Sequence, residues 1–427
     1  MIAIIGAGLS GMSAAHNLKG KYLILEKEKT VGGLCRSVVV DDHTTDIGGG
    51  HILYTNDEYV KKLYARLLVR NMLWHERKSY IFINNIYVEY PFEVNLYGLP
   101  KNIIEECIRG VEERDTGKKR AYKNFHDWIN QTFGKGVAKH YMIPYNTKIW
   151  RYDLKKMSID WIADRVPAPK IEDMKKGAEK PVGKKFGGNA YFHYPKKGGI
   201  QALADALASK LNISFDSEAK EIKANKLRVI YERKGERTSL KAERIFSSLP
   251  LPELIKIIDD VPGRVEKAAK DLVYNSIICL ALAIERPKVS DKHWIYYPEK
   301  DITFNRIIIS SNLSPNMCPK HESSIIVENT YPKDKKINFE KRKEKLLEDL
   351  EKTDIVRKGD KVRVLKMSNS MYAYVVYDLN HSKNVKIMHE FLNEIGIIPI
   401  GRFGKWEYLN MDKSILDGKK SAEKSGL

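Results

Sequence analysis

An α/β fold is predicted, with a parallel βαβ opening, a helical insert behind it and a second, antiparallel sheet beyond. Three observations predict it. A glycine-rich turn joins an apolar strand to a helix at the very start, the spacing of apolar residues turns helical from Asn102 onward, and alternating runs return after residue 190. The opening strand is Ile2-Ala-Ile-Ile5, the helix covers Ser10 to Leu18, and a second strand, Tyr22-Leu-Ile-Leu25, ends on Glu26. In the insert, Ile103, Ile104, Cys107 and Ile108 share one helical face, and further helices are expected over Phe125 to Thr132 and Val137 to Met142. Residues 172–188 are rich in Lys and Gly and read as a mobile surface loop.

The runs Ala219 to Val229, Arg244 to Ser247, Ser276 to Ile284, Arg306 to Ser310 and Ser324 to Glu328 read as strands of the second sheet. Phe339 to Leu350 reads as a charged surface helix, Gly396 to Pro399 as a last strand, and the chain from about Asp412 as a terminal helix. The expected domains are a discontinuous Rossmann-like dinucleotide domain (1–55, 190–265 and 385–427), a largely helical unit (56–189) and an antiparallel-sheet unit (266–384).

At 427 residues and 43% apolar content the chain can bury a full core, which excludes a disordered tail protein. Its 74 basic and 55 acidic side chains give a formal charge of +19, a balance that favours anionic partners. The basic residues are scattered or gathered in Lys175 to Lys185, with no recognition helix, so nucleic acid is not expected as a partner. Four cysteines without a C-x-x-C pair argue against a disulfide frame and a structural metal. No basic leader precedes Ile2 and no apolar run approaches a bilayer span, so a cytoplasmic protein without a membrane segment is expected.

Gly6-Ala-Gly8-Leu-Ser10-Gly11 lets the backbone approach a pyrophosphate seated on a helix N-terminus, and Glu26, twenty residues beyond Gly6, can hold ribose hydroxyls. Two more glycine turns follow closely, Gly32-Gly33-Leu34-Cys-Arg36 and Asp46-Ile-Gly48-Gly49-Gly50-His51. This arrangement resembles glutathione-reductase-like flavoproteins, whose larger cofactor needs extra backbone to wrap it. The late Gly401-Arg402-Phe-Gly404 is similar to the second flavin contact of those proteins. FAD is therefore preferred over NAD. Gly6, Gly8, Ser10, Gly11, Glu26, Gly33, Leu34, Arg36, Gly49, Gly50, His51, Arg402, Tyr408 and Met411 are its candidate contacts.

The middle of the chain carries a more specific resemblance. Asn124-Phe-His-Asp-Trp128, Pro144-Tyr-Asn146-Thr-Lys-Ile-Trp150, Trp161 to Pro169, Tyr90-Pro-Phe92, Phe186 to Phe192 and Trp294 to Glu299 with Arg306 run in one order. Together they resemble the UDP-galactopyranose mutases, the eukaryotic branch in particular. The resemblance implies an isomerase that interconverts UDP-galactopyranose and UDP-galactofuranose for cell-surface glycan biosynthesis, as a homodimer. It implies covalent catalysis without net redox: reduced FAD, charged by NAD(P)H or another donor, attacks the sugar through N5.

The residues agree with that chemistry. Arginine forks suit phosphate oxygens, so Arg165 and Arg306 are the candidates to grip the two phosphates of a UDP-hexose, with Tyr296, Tyr374 and Tyr408 around them. Tyr90, Phe92 and Tyr141 are candidates for stacking on the base. By resemblance Asn146, Trp150 and Asn189 line the sugar region, and His51 sits near the flavin. Four features depart from the pattern: Gly48-Gly49-Gly50 has one glycine more than the usual pair, Leu313 stands where a tyrosine is expected, Glu93 where an amide would suit uracil better, and the Tyr408 to Asp412 spacing looks more bacterial than eukaryotic. The rival reading is an FAD-dependent oxidoreductase of the protoporphyrinogen-oxidase or amine-oxidase type, which has no use for two arginines converging beside the flavin.

Overall fold

A computed structural model describes residues 1–114, 121–162, 168–182 and 189–426. Its first layer is a five-stranded parallel sheet in the order Ile397–Pro399, Arg244–Ser247, Ile2–Ile5, Tyr22–Leu25, Ile213–Ser214. All four residues of Ile2–Ile5 are buried, as a strand covered on both faces requires. Ile2 and Ile4 feed one core with the helices Leu9–Asn17 and Met411–Lys424, while Ala3 and Ile5 feed another with Leu254, Ile255 and Met388. A three-stranded antiparallel sheet, Ser217–Lys223, Arg228–Arg233 and Glu236–Lys241, is attached to this layer.

The second large sheet has seven strands, in the order Val362–Val375, Tyr274–Ile284, Ser323–Pro332, Arg306–Ile309, Trp294–Tyr296, Ser79–Ile83, Ile86–Glu89. It is antiparallel except where Trp294–Tyr296 runs parallel to Ser79–Ile83. Period-two alternation shows in the long strand. Ile278, Leu280, Leu282 and Ile284 enter one core, and Ile277, Cys279, Ala281 and Ala283 enter the core on the other face. The insert packs the helices Lys101–Glu112, Phe125–Val137, Ile143–Trp150 and Ile171–Glu179, with a π-helical turn at Ala138–Met142, around Phe92, Phe125, Phe133 and Met174.

Several sequence expectations need correction. Ala219 to Val229 is two strands separated by a 3-10 turn at Ala224–Lys226, and they belong to the three-stranded sheet. Arg244–Ser247 belongs to the parallel sheet, where it pairs residue by residue with Ile2–Ile5. Alternation marks a strand but does not choose its partner. The 56–189 unit opens with the helix Glu58–Leu68 but then turns to strands: Met72–Glu76 pairs with Tyr191–Pro195 and the next two strands complete the large sheet.

The Lys/Gly-rich stretch begins as a helix, Ile171–Glu179, which buries Met174 and Gly177 one turn apart. Gly177 is there for closeness: a Cβ on it would lie 1.8 Å from the Val94 carbonyl oxygen. The rest of that predicted loop, 183–188, lies outside the described residues, as does Arg165.

Candidate active-site cleft

A cleft of about 1300 Å³ runs from the first glycine turn to the face of the large sheet. Pockets for a single small molecule measure roughly 300–1000 Å³, so this one has room for a dinucleotide and a second ligand end to end. Gly6, Gly8, Ser10, Glu26, Gly33, Leu34, Arg36, Gly49, Gly50, His51, Arg402 and Met411 line it. So do Asn189, Tyr296, Arg306, Tyr374 and Tyr408.

At the dinucleotide end the glycines have separable reasons. Gly11 does not face the cleft; a Cβ on it would come 2.0 Å from the Gly6 carbonyl oxygen, so it seats the helix on the turn. Gly8 faces open space with nothing within 4 Å of a would-be Cβ, where a pyrophosphate can approach the backbone. Glu26 is buried and accepts the backbone N–H of Ala7 at 2.7 Å and of Glu28 at 3.0 Å. Burial raises its carboxyl, and those two N–H groups and Arg36 oppose the rise. Asp46 begins the third glycine turn. It accepts Ser37 Oγ–H at 2.6 Å, Tyr194 O–H at 2.8 Å and the Ile200 N–H at 3.3 Å, and burial pushes it up to about 6.

These residues fit a flavin dinucleotide on three counts. The glycine face is open, the Glu26 carboxylate at the strand end is already fixed, and Arg402 offers a buried Nε with no partner among the described residues. Arg402 is held by the carbonyls of Leu409 at 3.1 Å and Ala373 at 2.9 Å, and its guanidinium lies 4.6 Å from the Tyr408 ring centre and 5.3 Å from that of Tyr374. No group of three or more His, Cys, Asp or Glu among the described residues could hold a metal ion.

At the other end stands Arg306, and the structure changes how its charge must be counted. Arg306 and Glu328 face each other across neighbouring strands. Arg306 Nε donates to Oε2 of Glu328 at 2.7 Å and Nη2 to Oε1 at 2.8 Å, a bidentate fork. Glu328 is 0% exposed and also accepts the Gly50 N–H at 2.9 Å. Burial works against the guanidinium's charge, but Glu328 outweighs it and holds the group well above its ordinary value. Arg306 is thus a charged donor already half used, with Nη1 left for a ligand. Glu328 was not among the residues read from the sequence.

His51 lies beside this pair. Its Nδ1 is 3.0 Å from the Gly49 carbonyl oxygen, which can only accept, so the ring proton sits on Nδ1 and Nε2 carries a free lone pair. Burial pushes the ring down to about 4, helped by Arg306 and Arg402, so His51 is neutral near pH 7. It can accept a proton or hydrogen bond; it is not a resident cation.

The base-stacking candidates, and Asn146 and Trp150 of the sugar candidates, stand behind the cleft wall rather than on it. Phe92 stacks on Tyr141 at 5.2 Å and Tyr141 on Tyr145 at 5.5 Å, while Tyr90 and Tyr145 each lie 5.3 Å from Tyr296, which lines the cleft. Asn146 and Trp150 satisfy each other: Trp150 Nε1 donates to Asn146 Oδ1 at 3.1 Å, and Asn146 Nδ2 donates to the Met142 carbonyl at 2.7 Å. Trp150 packs edge-on against Tyr374 at 5.9 Å and buttresses it from behind. Asn189 does reach the cleft, where it accepts from the buried Arg77, itself 5.1 Å from the Tyr90 ring centre. Arg77 and Tyr145 also escaped the sequence reading; for Tyr145 the quoted Pro144-Tyr-Asn146 segment already contained the signal.

Comparison with known proteins follows this geometry. A sequence profile of the flavin-containing amine oxidoreductases matches residues 9–369. The crystal structure of a reduced UDP-galactopyranose mutase superposes with a TM-score of 0.93 at 24% identity, over 99% of this chain and 95% of that one. A putative protoporphyrinogen oxidase from Exiguobacterium sp. 255-15 superposes at 0.74 and 13% identity, over 99% and 98%. An uncharacterized protein encoded in the nifH2 3' region of Methanothermococcus thermolithotrophicus is 42% identical over 73 residues, 16% of this chain and 71% of that protein. The fold is that of the mutase-type flavoproteins.

Proposed function

The chain belongs to the flavin-containing amine oxidoreductase family, and within it we propose a UDP-hexose mutase that interconverts the pyranose and furanose forms of UDP-galactose with no net redox. The observation that carries this reading is Arg306, a fixed guanidinium in the same cleft as the dinucleotide turns, surrounded by Tyr296, Tyr374 and Tyr408. An amine substrate has no anion for it to meet, and a porphyrinogen offers only carboxylates; a nucleoside diphosphate brings two phosphates. The near full-length likeness to a UDP-galactopyranose mutase supports the same choice.

A bound flavin, which Gly8, Glu26 and Arg402 would hold, would, once reduced by NAD(P)H or another donor, supply a nucleophilic N5 for covalent catalysis at the anomeric carbon, with UDP as the leaving group. The chain's part is electrostatic and positional. Nη1 of Arg306 meets a phosphate oxygen, and Glu328 keeps the fork aimed while cancelling part of its charge. Arg165 would supply the second cation that two phosphates require. Tyr374 and Tyr408, stacked at 6.2 Å, wall the site, and burial holds the Tyr374 hydroxyl above its ordinary value, so it acts as a neutral donor. His51, neutral with Nε2 bare, can accept from a sugar hydroxyl or the flavin edge. A cytoplasmic setting and a homodimer complete the proposal; no helix among the described residues is long and apolar enough to cross a membrane.

The test is spectroscopic. UDP should perturb the flavin absorbance of the wild type and protect it against heat, and Arg306→Met should lose both effects while retaining flavin. Equal responses in the two proteins, or none in the wild type beside oxidation of a test amine, would favour the oxidoreductase reading.

A further inference from the structure

A second cavity, of about 390 Å³, backs onto the cleft and shares Tyr408 and Leu409 with it. Its other walls are Asp160, Trp161, Tyr377 and Glu407, together with His381, Ser382 and Val385 from the start of the helix His381–Glu394. That volume suits a ligand of modest size. The mechanism above makes no use of this space.

Its chemistry is one-sided. In a chain with 74 basic and 55 acidic side chains, the two carboxylic residues of this wall, Asp160 and Glu407, have no Lys or Arg beside them among the described residues that line it. Lys156, Lys383 and Lys405, close to the wall along the chain, are not part of it, and Lys405 is engaged by Asp417. Asp160 accepts the Ser382 hydroxyl at 3.2 Å, which leaves it lone pairs for a ligand. His381, 5% exposed, sets Nε2 2.9 Å from the Trp406 carbonyl oxygen, which can only accept. The ring proton is therefore on Nε2, and Nδ1 is a bare lone pair with no partner among the described residues. Burial lowers the ring, so it stays an uncharged acceptor near pH 7. Flat rings stand around these acceptors: Tyr377 stacks on His381 at 3.9 Å, and Trp161 lies 5.9 Å from Tyr408. Carboxylates beside aromatic faces attract an organic cation and repel a phosphate.

We propose that this cavity binds a small alkylammonium, whose N–H groups meet Asp160, Glu407 and the His381 lone pair while its carbon chain lies against Trp161, Tyr377 and Tyr408. Occupancy is felt at the cleft. Tyr408 walls both spaces, its N–H is held by the Tyr377 hydroxyl oxygen at 2.9 Å, and the Leu409 carbonyl holds Arg402 at 3.1 Å. An ammonium packed on this segment fixes Tyr408 where it lines the cleft and so raises the affinity for UDP. The site itself stands apart from the UDP-hexose reading; its coupling to UDP rests on that reading.

The probe is butylammonium chloride, titrated calorimetrically into the flavin-loaded full chain against sodium chloride of equal ionic strength, with Asp160→Asn/Glu407→Gln alongside. Both acids are exposed, so the double variant keeps the fold. The wild type should bind butylammonium saturably, and the double variant at least about fivefold more weakly. Saturating butylammonium should tighten UDP binding by about fivefold or more in the wild type and leave it unchanged in the double variant. No saturable binding, or equal binding by both proteins, overturns the inference. Binding that leaves UDP affinity unchanged or weaker overturns the coupling. Failure of UDP to bind under any condition, with butylammonium still bound and still sensitive to the two acids, overturns the UDP reading and the coupling and leaves the ammonium site standing. Consumption of the amine with bleaching of oxidised flavin makes it a cleft substrate and overturns both.

Discussion

Replacing Arg306 by methionine perturbs two things that the geometry allows to be separated. The substitution keeps the side chain's length and removes the guanidinium. Glu328, with no exposed surface, is left with the Gly50 N–H and no cation. Removing one partner of a buried pair strands a charge, and the loss should be about 3–5 kcal/mol of folding stability. The double variant Arg306→Met/Glu328→Gln removes the stranded charge and should regain most of it, since a neutral amide still accepts from Gly50.

Turnover should follow another course. The fork that offers Nη1 to a phosphate is gone in both variants, and losing a charge-assisted contact of this kind removes at least ~2 kcal/mol of transition-state stabilisation, about 30-fold in kcat/KM. The assay pairs urea unfolding of the flavin-loaded proteins with turnover of UDP-galactose after dithionite reduction. The expected pattern is stability lost and regained while activity is lost and stays lost. Recovery of turnover in the double variant, or a single variant as stable as the wild type, would refute the assignment.

Three further outcomes follow from other parts of the structure. Glu26→Ala removes the acceptor for the Ala7 and Glu28 N–H groups as well as the ribose contact, so flavin should wash out at least tenfold more readily, roughly 1.4 kcal/mol, on gel filtration; full retention would contradict its role. Lys148, buried, donates to the carbonyls of Tyr297, Glu299, Ile302 and Phe304, and Lys148→Met should cost about 2–5 kcal/mol in urea unfolding by orphaning that loop; a change under ~0.5 kcal/mol would show the carbonyls find other partners. Burial holds His389 down to about 4. The unfolded chain therefore binds more protons between pH 6.5 and 4, and the stability this neutral ring contributes is complete above 6.5 and lost as pH falls. Relative to His389→Leu, the wild type should lose at most ~1.4 kcal/mol per pH unit across that window, and a constant difference would show the ring is not held neutral.

The first βαβ unit was legible because glycine turn, strand, helix and acid all act locally, and Ile2–Ile5, Tyr22–Leu25 and Glu26 stand where their spacing put them. What failed depends on tertiary choice. Arg244–Ser247 alternates like any strand, and only the space beside Ile2–Ile5 tells it to pair there. Ile171–Glu179 looks like a loop by composition, yet Met174 and Gly177 fall on one face and find the insert's core. The hairpin Ser79–Ile83 to Ile86–Glu89 was readable and missed: Asn84-Asn85, both with positive φ, is a turn signal between apolar runs.

In the site, Arg306, a candidate because arginine suits phosphate, does line the cleft, whereas Glu328 could not be found by that reasoning. A lone Glu in a strand reads as solvent-facing until the register sets it opposite Arg306. Sequence likewise offered Phe92 and Tyr141 for the base, but did not reveal that neither lines the cleft: Phe92 packs on Tyr141, Tyr141 on Tyr145, and Tyr145 on the cleft-lining Tyr296.

The measurement that bears most directly on the account is product analysis. Protein carrying dithionite-reduced flavin is incubated anaerobically with UDP-galactopyranose and the nucleotide sugars are resolved by chromatography. The account predicts a five-membered-ring UDP-galactose, formed over many turnovers with no net consumption of reductant and absent with Arg306→Met. Unchanged UDP-galactopyranose from a fully reduced, UDP-binding wild type would contradict it.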